Sequence, residues 1–330
     1  MTDKKRIEFI DLAKGICIIF VVASHCGFAV DLPGLGIVRM PLYFILSGLF
    51  FKEYSGFGEF VVRKTNKILI PFIFFYLVSY ALYYMLQYLA PQLLITDARG
   101  VFDIFNNRQY FNGPIWFLLS LYWCGLIFAG VIASTKSLFV RCVAVLAIGC
   151  GGVFLGGKDL FLPMFIDVAM TALPFYCFGY YLKRTAILYQ NKYDRYNLIF
   201  VAILYIASLV ISRYAQGIRL SLHYNGINNP LATFTLSITS TMTILLLCKT
   251  IKHIPIISYM GRYSLIILCT HHLIYRPLKV VSNMMPYGFM HESWFLTLVT
   301  ISVSVAFIPL CIRFIPYFVA QKDLIKCSKD

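Results

Sequence analysis

Three ionisable residues in one apolar stretch carry the most chemical promise in this chain. Residues 9–30, FIDLAKGICIIFVVASHCGFAV, are long and apolar enough to span a bilayer, yet they hold Asp11, Lys14 and His25. Ionisable groups inside a membrane helix are expensive and face a protein interior or a wet cavity, so they mark a functional site. At about 100° per residue, His25 falls only about 20° from Lys14 around the helix and roughly 16 Å further along it. Asp11 sits one turn before Lys14 on much the same side, where the two can pair. An imidazole in a semi-dry cavity is suited to taking a proton from an incoming hydroxyl. A lysine near a membrane face is suited to holding a phosphate or a carboxylate. The plainer alternatives are an imidazole hydrogen-bonded to a neighbouring helix and a snorkelling lysine paired with Asp11.

Further candidates lie along the chain. In FVVRKTNKILIPF, the residues Arg63, Lys64 and Lys67 form a basic cluster before Pro71. Such a cluster fits lipid headgroups or the phosphates of a nucleotide-like cofactor. SLIILCTHHLIYRP places His271 and His272 in mid-helix with Arg276 just beyond. Adjacent helical side chains point about 100° apart, so only one of the two histidines is expected to share a cavity with His25. Ser47-Gly48 in MPLYFILSGLFF reads as a close-packing site. Pro114 suits a first helical turn, and Trp116 an interfacial belt. Asp167, near the end of a span containing Pro174 and Gly179, is either an interfacial cap or the partner of a buried base. The loops near 91–113 and 214–229 carry Tyr110, Asn112, His223, Tyr224, Asn225, Asn228 and Asn229, a composition that suits sugar binding.

The elements that position these residues follow from composition. Hydrophobic residues make up 60% of the 330 and charged ones 13%, with a mean hydropathy of +0.77. That is far more apolar than a soluble domain of this size. Apolar runs at about 9–30, 37–52, 67–90, 114–133, 138–156, 164–183, 197–213, 230–249, 263–281 and 294–318 predict ten transmembrane helices. With the N-terminus cytoplasmic, Lys and Arg number 19 in the cytoplasmic segments and 8 on the opposite side. This asymmetry agrees with ten spans and both termini inside. The expected architecture is therefore an all-α polytopic membrane protein, one domain over 1–330 with short cytoplasmic tails at about 1–8 and 319–330. The first run is too long for a cleaved signal peptide and reads as a retained signal anchor.

The net charge of +15 is spread over short loops. It suits anionic membrane lipids and argues against a nucleic-acid partner. Of ten cysteines, nine lie within or at the edges of apolar runs. There is no C-x-x-C and no Cys/His pair at metal-ligand spacing, so packing is expected and no metal site.

Taken together and in order, D-L-A-K-G with a histidine at position 25, FILSGLFF, R-K-x-x-K-I-L-I-P-F, the WFL of Ile115 to Leu118, ALPFYCFGYYLKR and S-L-I-I-L-x-x-H form a pattern. The pattern resembles the acyltransferase-3 family of integral membrane acyltransferases, over nearly the whole chain from Arg6 to about Arg313. The resemblance implies ten membrane helices with cytoplasmic termini in the plasma (inner) membrane. It also implies transfer of an acyl group, most often acetyl from acetyl-CoA, to a hydroxyl of a cell-surface or lipid-linked glycan. On it, the family's first-helix basic residue and histidine fall on Lys14 and His25, its basic residue before the third helix on Arg63, and its late histidine on His271, beside His272. The family usually has arginine where this chain has Lys14, and lysine keeps the charge while losing bidentate reach.

The expected reaction uses acetyl-CoA as a substrate entering from the cytoplasm, with no permanently bound cofactor. Its phosphates would lie near Lys14, Arg63, Lys64 and Lys67. His25, with Asp11, Lys14 and His271 in its surroundings, would act as general base on the acceptor or carry the acetyl group transiently. The rival reading is a transporter or flippase of a lipid-linked or anionic substrate, which predicts a two-fold hydropathy repeat that the sequence lacks. A sensor or scaffold would leave the charged stripe unexplained.

Overall fold

A computed structural model of the chain describes residues 7–28, 32–54, 56–89, 102, 112–185, 187–189, 191–215 and 218–326. Lys4, Lys5, Arg6, Arg99, Arg108, Tyr110, Cys327 and Lys329, which entered the readings above, lie outside these residues. Helices occupy all ten regions read as spans. They are α1 (Glu8–His25), α2 (Arg39–Leu49), α4 (Ile70–Leu89), α5 (Trp116–Ser134), α6 (Leu138–Gly157), α7 (Ile166–Leu182), α8 (Asn197–Tyr214), α9 (Pro230–Ile251), α11 (Ser264–Met284) and α12 (Ser293–Phe314). Two shorter helices were not anticipated, α3 (Phe57–Lys64) and α10 (Pro255–Arg262). A two-stranded antiparallel hairpin, β1 (Arg219–Ser221) and β2 (Gly226–Asn228), interrupts the helical pattern.

By length and apolarity, seven helical runs among the described residues qualify to cross a membrane: α3 continued into α4, then α5, α6, α7, α8, α9 and α12. The other three predicted spans fall short for reasons visible in their residues. Helix α1 carries Glu8, Asp11 and Lys14, α2 is only 11 residues long, and α11 holds two histidines, Arg276 and Lys279. These are the helices that build the site described below. Their polarity is sheltered because α1 packs on α9, α10, α11 and α12, and α2 lies along α7.

Glycines allow the tightest of these crossings. A methyl group at Gly48 of α2 would overlap the Tyr176 carbonyl of α7, and one at Gly179 of α7 would overlap the Ile45 carbonyl of α2. Gly15 of α1 and Gly261 of α10 meet the backbones of Ile257 and Asp11 in the same reciprocal way. With lipid as apolar as leucine, close backbone approach is a main source of helix association. The expected packing role of Ser47-Gly48 is thus realised at the α2–α7 crossing.

The join between α3 and α4 is a π-helical turn over Thr65–Leu69. Pro71 follows it and has no N–H to donate to the carbonyl four residues back, so the backbone widens there instead of breaking. The widened turn holds the C-terminal segment. Asn66, buried to 1% exposure, accepts from the backbone N–H groups of Leu324 and Ile325 and donates to the Ile325 carbonyl, at 2.8–2.9 Å. Lys67 pairs with Asp323 at 2.7 Å and donates to the Ala320 carbonyl at 3.1 Å. Phe318 stacks on Phe74 with centroids 4.3 Å apart.

Candidate active site

Two cavities abut inside the helix bundle. One encloses about 240 Å³ and is lined by Ser24, His25, Arg39, Trp116 and His223, among others. We call it the histidine chamber. The other encloses about 260 Å³ and is lined by Lys14, Tyr43, Ser47, Lys64, Lys67 and Ser264, among others. We call it the lysine chamber. Met40 and Leu268 line both, so these two side chains form the partition between them.

Helices α1 and α2 run between the chambers in opposite directions. On α1, Lys14 opens onto one and His25 onto the other; Phe50, capping the end of α2, and Arg39 at its start do the same. Each pair is separated by roughly 16 Å along its helix. The stripe read from the sequence is therefore a path from chamber to chamber, about half the thickness of a bilayer core.

A histidine cluster stands at one end of that path. The His25 ring lies 5.3 Å from that of His271 and 5.2 Å from that of His272, centroid to centroid. The expectation that only one of the two would meet His25 is corrected here. Side chains 100° apart on α11 straddle a third ring that projects between them. His271 is fully buried, and its Nδ1 lies 2.9 Å from the Ile267 carbonyl. A carbonyl only accepts, so Nδ1 carries the hydrogen, and Nε2 is left without a partner among the described residues. His25 opens into the chamber. No hydrogen-bond partner among the described residues reaches its ring, which leaves its nitrogens available to a guest.

Trp116 belongs to this chamber and not to an interfacial belt. It is 7% exposed and packs against Phe165 and His223, each 5.7 Å away. The 3₁₀ turn Gly113–Ile115, started by Pro114, brings α5 in at this angle. The residues proposed for sugar contact divide. His223 lines the chamber, whereas Asn112 ties Ser79 to the Cys269 carbonyl and Asn229 caps α9 through the Ala232 N–H. Asn225 donates to Asp167 at 3.0 Å and to the Gly152 carbonyl. Asp167 is thus engaged by Asn225 in a buried contact of α7 with the hairpin.

The basic residues also divide. Lys14, Lys64 and Lys67 gather around the lysine chamber, the first two lying 5.5 Å over the Phe50 and Phe60 rings. Arg63 turns away to Glu59 at 2.9 Å and the Tyr54 ring at 5.2 Å, and it lines neither chamber. Asp11, 7% exposed, sits at the α1–α10 crossing and lines neither. Arg39 was not singled out from the sequence. Its position at the start of α2, within the R-M-P-L run, was the available signal.

The arrangement offers a lysine-lined cavity suited to an anion, a thin apolar partition, and an imidazole cluster facing an aromatic cavity beyond it. Compared with known proteins, residues 7–312 match the model of the acyltransferase-3 family, described as an acyltransferase domain. No curated protein and no solved structure matches the chain.

Proposed function

Because the chain belongs to the acyltransferase-3 family, and so is a membrane acyltransferase, we propose that it moves an acetyl group from acetyl-CoA to a hydroxyl of a cell-surface or lipid-linked glycan. The observation that carries this reading is the abutment of the two chambers at Met40 and Leu268, with lysines around one and His25 in the other. The lysine chamber takes the donor, its phosphates held by Lys14, Lys64 and Lys67 through charge-assisted hydrogen bonds. The thioester reaches the partition, and the acceptor enters the histidine chamber.

His25 removes the proton from the acceptor hydroxyl as the oxygen attacks the thioester carbonyl. A C–O bond forms, the C–S bond breaks, and the electron pair leaves with the CoA sulfur. His271, its ring held by Ile267, backs His25 and keeps the imidazole oriented at the junction. The proton taken from the acceptor returns to the departing thiolate or passes to water.

We place the protein in the plasma membrane with both termini cytoplasmic. Both described ends of the chain support this. Helix α1 begins six residues before Lys14, and Ile325 is bonded to Asn66 beside Lys67. A chain that starts and finishes on one face crosses an even number of times. The seven long runs with α1, α2 and α11 make ten.

The test is acetyl incorporation from labelled acetyl-CoA by the purified protein in liposomes, with host glycan as acceptor. Loss of transfer in a normally folded His25→Ala variant is expected. Full transfer in that variant overturns the reading.

A further inference from the structure

The histidine chamber is built to receive a negative charge. Arg39 lines it beside His25, half-buried, and among the described residues no carboxylate lines the chamber or pairs with the Arg39 guanidinium. Other arginines of this protein are engaged: Arg63 by Glu59, Arg141 by the Thr135 and Ile132 carbonyls, and Arg184 by the Tyr180 hydroxyl. Helix α2 also begins here, at Arg39, with no side-chain cap from Val38. The positive end of its dipole is thus added to the guanidinium. A cation in a semi-enclosed, low-dielectric cavity gains most when an anion is brought to it, and a guanidinium meets carboxylate or phosphate oxygens in a two-pronged geometry.

Trp116 and His223 supply the rest of the recognition surface. Their rings stand 5.7 Å apart in the same cavity, flat apolar faces of the kind on which a sugar ring rests while its polar edge finds hydrogen bonds. We infer that Arg39 is the specificity-determining residue of the acceptor site and that the acceptor is an acidic saccharide, whose carboxylate or phosphate binds Arg39 while the hydroxyl to be acylated faces His25. The inference rests on the histidine chamber being the acceptor side.

The experiment uses the full chain in liposomes with labelled acetyl-CoA and paired acceptor probes. Trigalacturonate is compared with its methyl ester, which keeps the hydroxyls and loses the charge. Mannose 6-phosphate is compared with mannose, so that the two pairs separate a carboxylate requirement from a phosphate requirement. Binding is read separately, from the shift in Tm that each probe produces.

At least one acidic probe is expected to be acetylated tenfold or more better than its neutral partner and to raise Tm in the wild type. Arg39→Gln should erase that preference by raising the acceptor KM, with the KM for acetyl-CoA unchanged. Arg39→Lys should keep part of it, which separates loss of charge from loss of fold. Neutral and acidic probes that bind and react equally well overturn the inference while leaving acyl transfer intact. So does an Arg39→Gln variant whose acetyl-CoA KM rises instead. Acidic probes that raise Tm only when Arg39 is present, with no acetyl transfer to any probe, uphold the anion site and strike the acetyl-transfer reading.

Discussion

The rings of His25 and His271 lie 5.3 Å apart, although one ends α1 and the other sits in the middle of α11. His25 opens into a cavity, while His271 is sealed behind it with one nitrogen bound to Ile267 and the other without a partner among the described residues. On the proposed reading, His25 is the base that meets the acceptor and His271 the ring packed behind it.

Removing either ring is expected to lower transfer, but in distinguishable ways. His25→Ala should cost about 10²–10⁴ in kcat, the usual contribution of a general base. His271→Asn keeps a donor for the Ile267 carbonyl and removes the Nε2 lone pair. It should fold normally and lose kcat with little change in the KM for acetyl-CoA, as read from initial rates.

The division of the basic cluster predicts a division of kinetic effects. Lys14→Ala and Lys64→Ala should raise the KM for acetyl-CoA roughly tenfold, the equivalent of about 1.4 kcal/mol of lost charge-assisted bonding. Lys14→Arg should retain more activity than Lys14→Ala. Arg63→Ala breaks a pair with Glu59 that is worth only about 0.3–0.5 kcal/mol and should leave that KM nearly unchanged. Equal effects at Lys64 and Arg63 would mean that the donor lies elsewhere.

Gly48→Ala and Gly179→Ala each push a methyl group into a carbonyl of the opposite helix. Overpacking of this kind costs about 1–3 kcal/mol. Both variants should show a lower Tm in detergent. Alanine at Gly58, where nothing lies within 4 Å, provides the control that does not.

Asn66→Ala removes three hydrogen bonds that hold Leu324 and Ile325 against the π turn. Each bond contributes about 0.5–1.5 kcal/mol net. The segment after α12 should therefore be cut faster by added protease in this variant, while cleavage at other sites proceeds at the wild-type rate.

Much of this molecule was legible in its residues. The ten helical regions follow from the length of the apolar runs, which is a local property. The alignment of Lys14 with His25 follows from helical periodicity, which is equally local. The match to a membrane acyltransferase family rests on short motifs that survive in order along the chain. What the residues alone leave open has a common origin. Whether Trp116 sits at an interface or in a cavity, whether one or both of His271 and His272 meet His25, and whether Arg63 joins the lysines all depend on which side of a helix faces its neighbours.

The sequence by itself determined the solvent, the class of fold, and which helix carries the charged stripe. Bilayer thickness and the cost of unpaired backbone groups in lipid leave few other solutions. Only the tertiary structure decided that Arg39 and Trp116 turn into the histidine chamber, that two histidines of α11 flank His25, and that Asn66 captures the C-terminal segment. Lipid and protein interior are both apolar, so a membrane helix such as α5 or α9 has no polar face to announce its orientation. Packing against the other helices fixes it, and with it the site.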